Sequence, residues 1–151
     1  MSRRVLRGAP MTVLAVLALA ACDTQGRSAD YALAHTPTRA GLAHGEWTAT
    51  GIDDPNRDIV PGSTIVLTFG DDSVSAQGGC NSLHGSASIG DHQLVVGTLA
   101  STRKACDQPL EAQDDWLGSF LTSRPTIERQ GNDLWLSRDD TTLRFVSSDS
   151  G

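Results

Sequence analysis

The chain has 151 residues, 38% of them hydrophobic, and a formal charge of −6 at pH 7. That length holds one domain and a tether rather than two domains. The acidic balance repels nucleic acid and anionic lipid headgroups, so neither is an expected electrostatic partner.

Three arginines, Arg3, Arg4 and Arg7, precede an apolar run from Met11 to Ala20. The run is too short to cross a bilayer and has the layout of an export signal. It ends in Leu19-Ala20-Ala21-Cys22, where small residues admit a signal peptidase and Cys22 stands where a lipoprotein thiol takes a diacylglycerol. Residues 1–21 are therefore read as a lipoprotein signal peptide and Cys22 as the lipidation site. The competing reading is an ordinary secretory peptide with Cys22 incidental. Removing residues 1–21 leaves 130 residues and moves the charge from −6 to −9, because that segment holds three arginines and no acid. Membrane attachment then comes from acyl chains on Cys22, not from a basic patch.

Residues 22–44 carry Ala, Thr, Ser, Gly and Asp without helical or alternating apolar period. This stretch reads as a lipidated N-terminus and flexible tether with a reach of about 25 Å. From residue 45 apolar alternation dominates: Ile65, Leu67 and Phe69; Leu134 and Leu136 around Trp135; Leu143 and Phe145 around Arg144. The pattern predicts strands near 46–52, 64–69, 73–78, 84–89, 93–101, 126–130, 133–137 and 142–147. Gly70-Asp71-Asp72, Gly90-Asp91, Gly131-Asn132-Asp133 and Arg138-Asp139-Asp140 supply turn chemistry between them, so the strands pair as antiparallel hairpins. One segment differs. Pro109 suits a first helical turn, Glu111 and Asp114 suit the positive end of a helix dipole, and Leu110, Trp116, Leu117, Phe120 and Leu121 recur at helical spacing. Residues 109–123 are predicted to form one amphipathic helix, ended before Pro125.

With Cys22 lipidated, Cys80 and Cys106 remain in an exported protein, where disulfides persist. They are expected to pair. The closed loop spans 26 residues, and a crosslink of that size stabilises by about 3.5 kcal/mol.

Trp47 in the first strand, Gly79-Cys80-Asn81 followed by Gly85, Thr102 leading to Ala105-Cys106, the helix with Glu111, and the closing Leu143-Arg144-Phe145 together resemble the META domain, or HslJ-like, family over residues 46–146. The family usually has methionine where this chain has Lys104. The resemblance implies an antiparallel sheet curved toward an incomplete barrel with one inserted helix. It also implies an exported or lipid-anchored envelope protein, of a kind linked to heat shock or antibiotic tolerance, without established enzymatic activity. The architecture is similar to that of secretion pilotins, lipoproteins that hold an apolar ligand or partner peptide.

Other chemistry fits these residues less well. Cys80 and His84 would make an activated nucleophile only if a helix aligned them, and Gly78, Gly79 and Gly85 point to a turn or strand edge. A metal site from Cys80, His84, Cys106 and one of His35, His44 or His92 lacks paired ligand spacing at Cys106. Asn81 either recognises a ligand or caps a turn, and the turn role is favoured. The pairs Asp53-Asp54, Asp71-Asp72, Asp114-Asp115 and Asp139-Asp140 lack calcium-loop spacing and read as solvated. Trp47, Trp116 and Trp135 read as packing residues, with Trp135 turned outward.

The expected protein is mainly β (α+β), an antiparallel sheet curved into a partly open barrel with one inserted amphipathic helix. Its parts are the signal 1–21, the tether 22–44, the META domain 45–147 and a tail 148–151. It is expected to be a monomeric, non-catalytic binding or envelope-stress protein without cofactor or metal, lipid-anchored on the extracytoplasmic side, with an envelope protein or apolar ligand as partner.

Overall fold

The computed structural model describes residues 35–42 and 45–148. Cys22, the signal segment, most of the tether and residues 149–151 lie outside the described residues. Among the described residues nine strands form: β1 (Glu46–Asp53), β2 (Val66–Phe69), β3 (Ser73–Gln77), β4 (Ser82–Gly90), β5 (Gln93–Val96), β6 (Ala100–Ser101), β7 (Thr126–Gln130), β8 (Asp133–Arg138) and β9 (Thr141–Ser147). Two helices accompany them, α1 (Arg39–Leu42) and α2 (Gln108–Thr122).

Every strand pairing is antiparallel, in the order β3-β2-β1-β9-β8-β7-β5-β4, and β4 pairs back onto β3. Eight strands thus close a barrel, and β6 lies on β4 outside that ring. The expectation of a partly open barrel is corrected here. Alternation tells which face of each strand is buried, but closure depends on whether distant strands meet. The β5–β7 joint is narrow: Gln93 faces Thr126, and Leu94 N–H to Pro125 O (2.9 Å) and Ile127 N–H to His92 O (2.9 Å) flank it.

Inward residues fill the barrel. Leu134 faces Phe145 and Leu136 faces Leu143 across β8–β9, and all four are buried. Trp135 lies on the opposite face, half-buried, between Glu128 and Arg144. In β1, Trp47 points inward, but so does Ile52, five residues later. A register shift between Ala49 and Gly51 reverses the alternation and allows both.

The predicted strand 93–101 is one path along β4 with a break. Ala87 faces Val96 and Gly97 N–H donates to Ser86 O at 2.9 Å, whereas further on His84 faces Ala100 and Leu83 faces Ser101. Thr98 and Leu99 therefore stand opposite the single residue Gly85, a β-bulge. A Cβ on Gly85 would lie 2.9 Å from both Thr98 O and Leu99 Cδ2.

Part of the stretch read as tether packs on the domain. Residues 35–42 lie against the barrel, with Pro37 and Leu42 buried. His35 and Arg129 exchange backbone hydrogen bonds of 3.0 and 2.8 Å. The Arg129 guanidinium donates to Gly41 O and Gly131 O and sits 5.1 Å from the Trp47 ring centroid. Two apolar side chains in a polar stretch produce no period, so the sequence pattern does not betray this strap.

Helix α2 starts with a proline in its first turn after Asp107 and stops at Ser123, whose N–H reaches back to Phe120 O and Ser119 O. Leu117, Phe120 and Leu121 join the barrel core. Leu110 is half-buried, and Trp116 stacks on Phe120 with centroids 5.5 Å apart under the Arg57 guanidinium.

Candidate functional site

Three segments meet at the start of α2: the β3–β4 connection, the stretch after β6, and the first half of the helix. Gly78 and Gly79 permit the meeting. Gly79 has φ +125°, and a Cβ on Gly78 would sit 2.3 Å from Asp114 Oδ1 and 3.2 Å from Asp114 Cα. With no side chain there, the helix backbone closes onto the loop.

Polar contacts then fix the three segments. Asp114, only 3% exposed, accepts the Asn81 N–H at 2.7 Å through Oδ2. Gln113 donates to Gly78 O and to Ser63 Oγ (2.9 Å) and accepts Val60 N–H at 2.6 Å. Asn81 Oδ1 accepts from Thr102 Oγ1 (3.0 Å) and from Lys104 N–H (2.8 Å), while Thr102 Oγ1 accepts Ser82 N–H at 3.0 Å. The Cys80–Cys106 disulfide spans the same junction, with Cα atoms 6.3 Å apart, within the ordinary range for a bridge. Asn81 is thus a buried buckle between loops.

Beside this junction runs a groove of about 680 Å³ between β6 and α2. Leu83, Leu99 and Gly118 form an apolar floor, Glu111, Asp115 and Ser119 line the helix side, and Arg103 and Lys104 stand beyond the end of β6. Asn81 and Thr102 belong to its lip. A crevice beside Leu42, Phe69 and Leu94 measures only about 10 Å³.

Of the residues singled out from sequence, Cys80, Asn81, Gly85, Thr102 and Cys106 come together around β4 and β6. Trp47 does not; it packs under Arg129 near Leu42. His84 is exposed and bonds Ser75 Oγ through Nδ1 at 2.9 Å, and Cys80 is held in the disulfide. Asp53 pairs with Arg144 at 3.1 Å and Asp139 with Arg138 at 3.6 Å. Asp54 accepts from Thr141 Oγ1 (2.5 Å) and Asn56 N–H (2.8 Å). The Thr141 bond most of all, then that of Asn56 and the nearby Arg57 charge, hold its carboxyl below 3.8 against a smaller opposing effect of burial.

The pair Asp114-Asp115 departs from its expected solvation. Asp115 is exposed, but Asp114 is buried in the second turn of the helix, beyond the first-turn dipole position assigned to it. Gln113, Asp114 and Gly118 were not singled out for the site. The available signal was the Gly78-Gly79 pair ahead of Cys80, which marks a close backbone approach.

A closed antiparallel barrel with one helix across it, a disulfide-pinned loop junction and an external groove defines the class. The chain belongs to the META domain family, whose model matches residues 40–150. Among solved structures it is similar to a protein from Burkholderia xenovorans, at 26% identity and TM-score 0.62, covering 74% of this chain and 86% of that one. A second solution structure shares 22% identity with TM-score 0.63 over 75% of this chain and 97% of the other. A DUF4847 family protein from Bacteroides vulgatus, at 13% identity and TM-score 0.51 over 72% and 95% of the two chains, shares the fold alone. No curated protein matches the chain.

Proposed function

We propose that this META-domain protein is a lipid-anchored component of the bacterial envelope that acts by binding a partner in the β6–α2 groove. Its role is support of the envelope under stress, without catalysis. One observation carries the binding site: two residues of the family motif, Asn81 and Thr102, stand on the lip of a groove, held by a buried polar buckle beside the Cys80–Cys106 bridge. Such rigidity pre-organises a surface for a partner. Support for a non-catalytic role comes from Cys80 and His84, the pair an enzyme would use, which are engaged with Cys106 and Ser75 respectively. The pilotin-like alternative would use the barrel opening and the helix to hold an apolar chain; closure of the barrel, with Leu117, Phe120 and Leu121 of α2 in its core, favours a site outside it.

The anchor is tested by growing cells on labelled fatty acid. Wild-type protein should carry label and sediment with membranes, and Cys22→Ser should do neither. Label retained by Cys22→Ser would refute the anchor.

A further inference from the structure

The groove has a property that the bulge creates. Leu94 bonds Pro125, just ahead of β7, and Gly97 bonds β4, as the alternation of an antiparallel strand requires. Beyond the bulge at Thr98–Leu99, Thr102 N–H donates to Ser82 O at 3.1 Å, so Thr102 and, two residues earlier, Ala100 turn their backbone groups toward β4. The Leu99 C=O and the N–H and C=O of Ser101 therefore point away from β4, on the outer edge of the strand that borders the groove. This edge is accessible, since Thr98, Ala100, Ser101 and Thr102 are exposed and Leu99 is half-buried. Strand β7 bonds only the start of β5 and does not extend to it.

Resting on the groove assignment above, we propose that the outer edge of β6 is a strand-addition site for an extended segment of another polypeptide bearing lysine or arginine. An open edge offers main-chain hydrogen bonds to such a segment, and neighbouring pockets select its side chains. Here an apolar side chain seats on Leu83, Leu99 and Gly118. The charge follows from the wall alongside: Glu111 and Asp115 run beside the strand, whereas Arg103 and Lys104 stand past its end. The net charge of −6 steers a cationic segment to the protein. A second copy of this chain is a poorer occupant, because its net charge of −6 has the same sign as the Glu111 and Asp115 wall.

The test uses isotope-labelled full-length protein in detergent and a ten-residue capped peptide alternating threonine with lysine around a central leucine. A control peptide carries N-methyl groups on alternate backbone amides, which removes its strand hydrogen bonds. Binding should shift the signals of Leu83, Leu99, Ser101 and Gly118 and slow amide exchange at Ser101. The methylated peptide should fail to protect that amide. Ser101→Pro removes an outward N–H while leaving the β4 ladder intact, and should weaken binding about three- to tenfold, the value of one net hydrogen bond. If Ser101→Pro does not fold, Gly118→Leu serves instead. It fills the floor where a Cβ already lies 3.6 Å from Leu83 Cδ1, and it favours the helix. Its expected result is loss of binding without a fall in melting temperature. Equal affinity for the methylated peptide, wild-type affinity in the folded variant, or protection of Ser101 by self-association without peptide would overturn the proposal. Loss of peptide binding by a protein still anchored through Cys22 would remove the groove and leave the anchor; peptide binding by a protein without lipid would do the reverse.

Discussion

The two halves of α2 are buried by different means. In the second half Leu117, Phe120 and Leu121 enter the barrel core, and nothing polar is needed to hold them. In the first half the buried residues are Gln113 and Asp114, each tied to backbone groups of loops distant in sequence. Apolar packing is non-directional and tolerates small shifts, whereas each buried hydrogen bond fixes a position and leaves an unpaired group when broken. The second half thus supplies stability, and the first half sets the shape of the groove lip.

This contrast is broken most directly at Leu117. Leu117→Ala should cost about 2–5 kcal/mol through lost burial and a cavity, read as a shifted urea midpoint at constant slope. A loss under about 1 kcal/mol would mean that the helix gates the barrel rather than covering it.

Removing the disulfide should come next. The paired replacement Cys80→Ala with Cys106→Ala should lower stability by about 2–4 kcal/mol. Peptide mapping of the wild type without reductant should recover the two cysteine peptides joined, and complete alkylation of both thiols would count against the bridge.

The polar half is probed at Asp114. Asp114→Ala leaves the buried Asn81 N–H without its carboxylate and should cost about 1–3 kcal/mol. Gly78→Ala forces a Cβ to within 2.3 Å of Asp114 Oδ1 and should cost a similar amount by overpacking. Combined with Asp114→Ala it should cost less than the sum, because the clashing oxygen is gone. Strict additivity in that cycle would disprove the close approach. Asp115→Ala, one residue along but exposed, should stay within about 0.5 kcal/mol of wild type.

The smallest effect concerns pH and lies away from the helix. The Asp54 carboxyl is held below its ordinary 3.8 by Thr141 and Asn56, so it binds protons more weakly folded than unfolded. Its contribution is fully present above the unfolded value and falls away as pH drops through the folded one. Replacing it with asparagine should flatten the decline of stability below about pH 4 and leave the decline's course above pH 5 unchanged. An identical acid limb in both proteins would contradict the shift.

Turns, strands and the helix were legible in the sequence because their signals are local. Leu134, Leu136, Leu143 and Phe145 alternate, turn residues stand between the strands, and the apolar spacing from Leu117 to Leu121 matches a helix that spans Gln108–Thr122. The motif residues Cys80, Asn81, Gly85, Thr102 and Cys106 could be named by resemblance, but their tasks could not. Gly85 makes room for a bulge on a neighbouring strand, and Asn81 buckles a loop 21 residues away.

Only the tertiary structure decided the closure of the barrel, the strap from His35 to Leu42, the burial of Asp114 beside an exposed Asp115, and the free edge along the groove. Each depends on which distant segments come together. A period in the sequence reports the face a residue presents; it carries no information about the segment that will cover it.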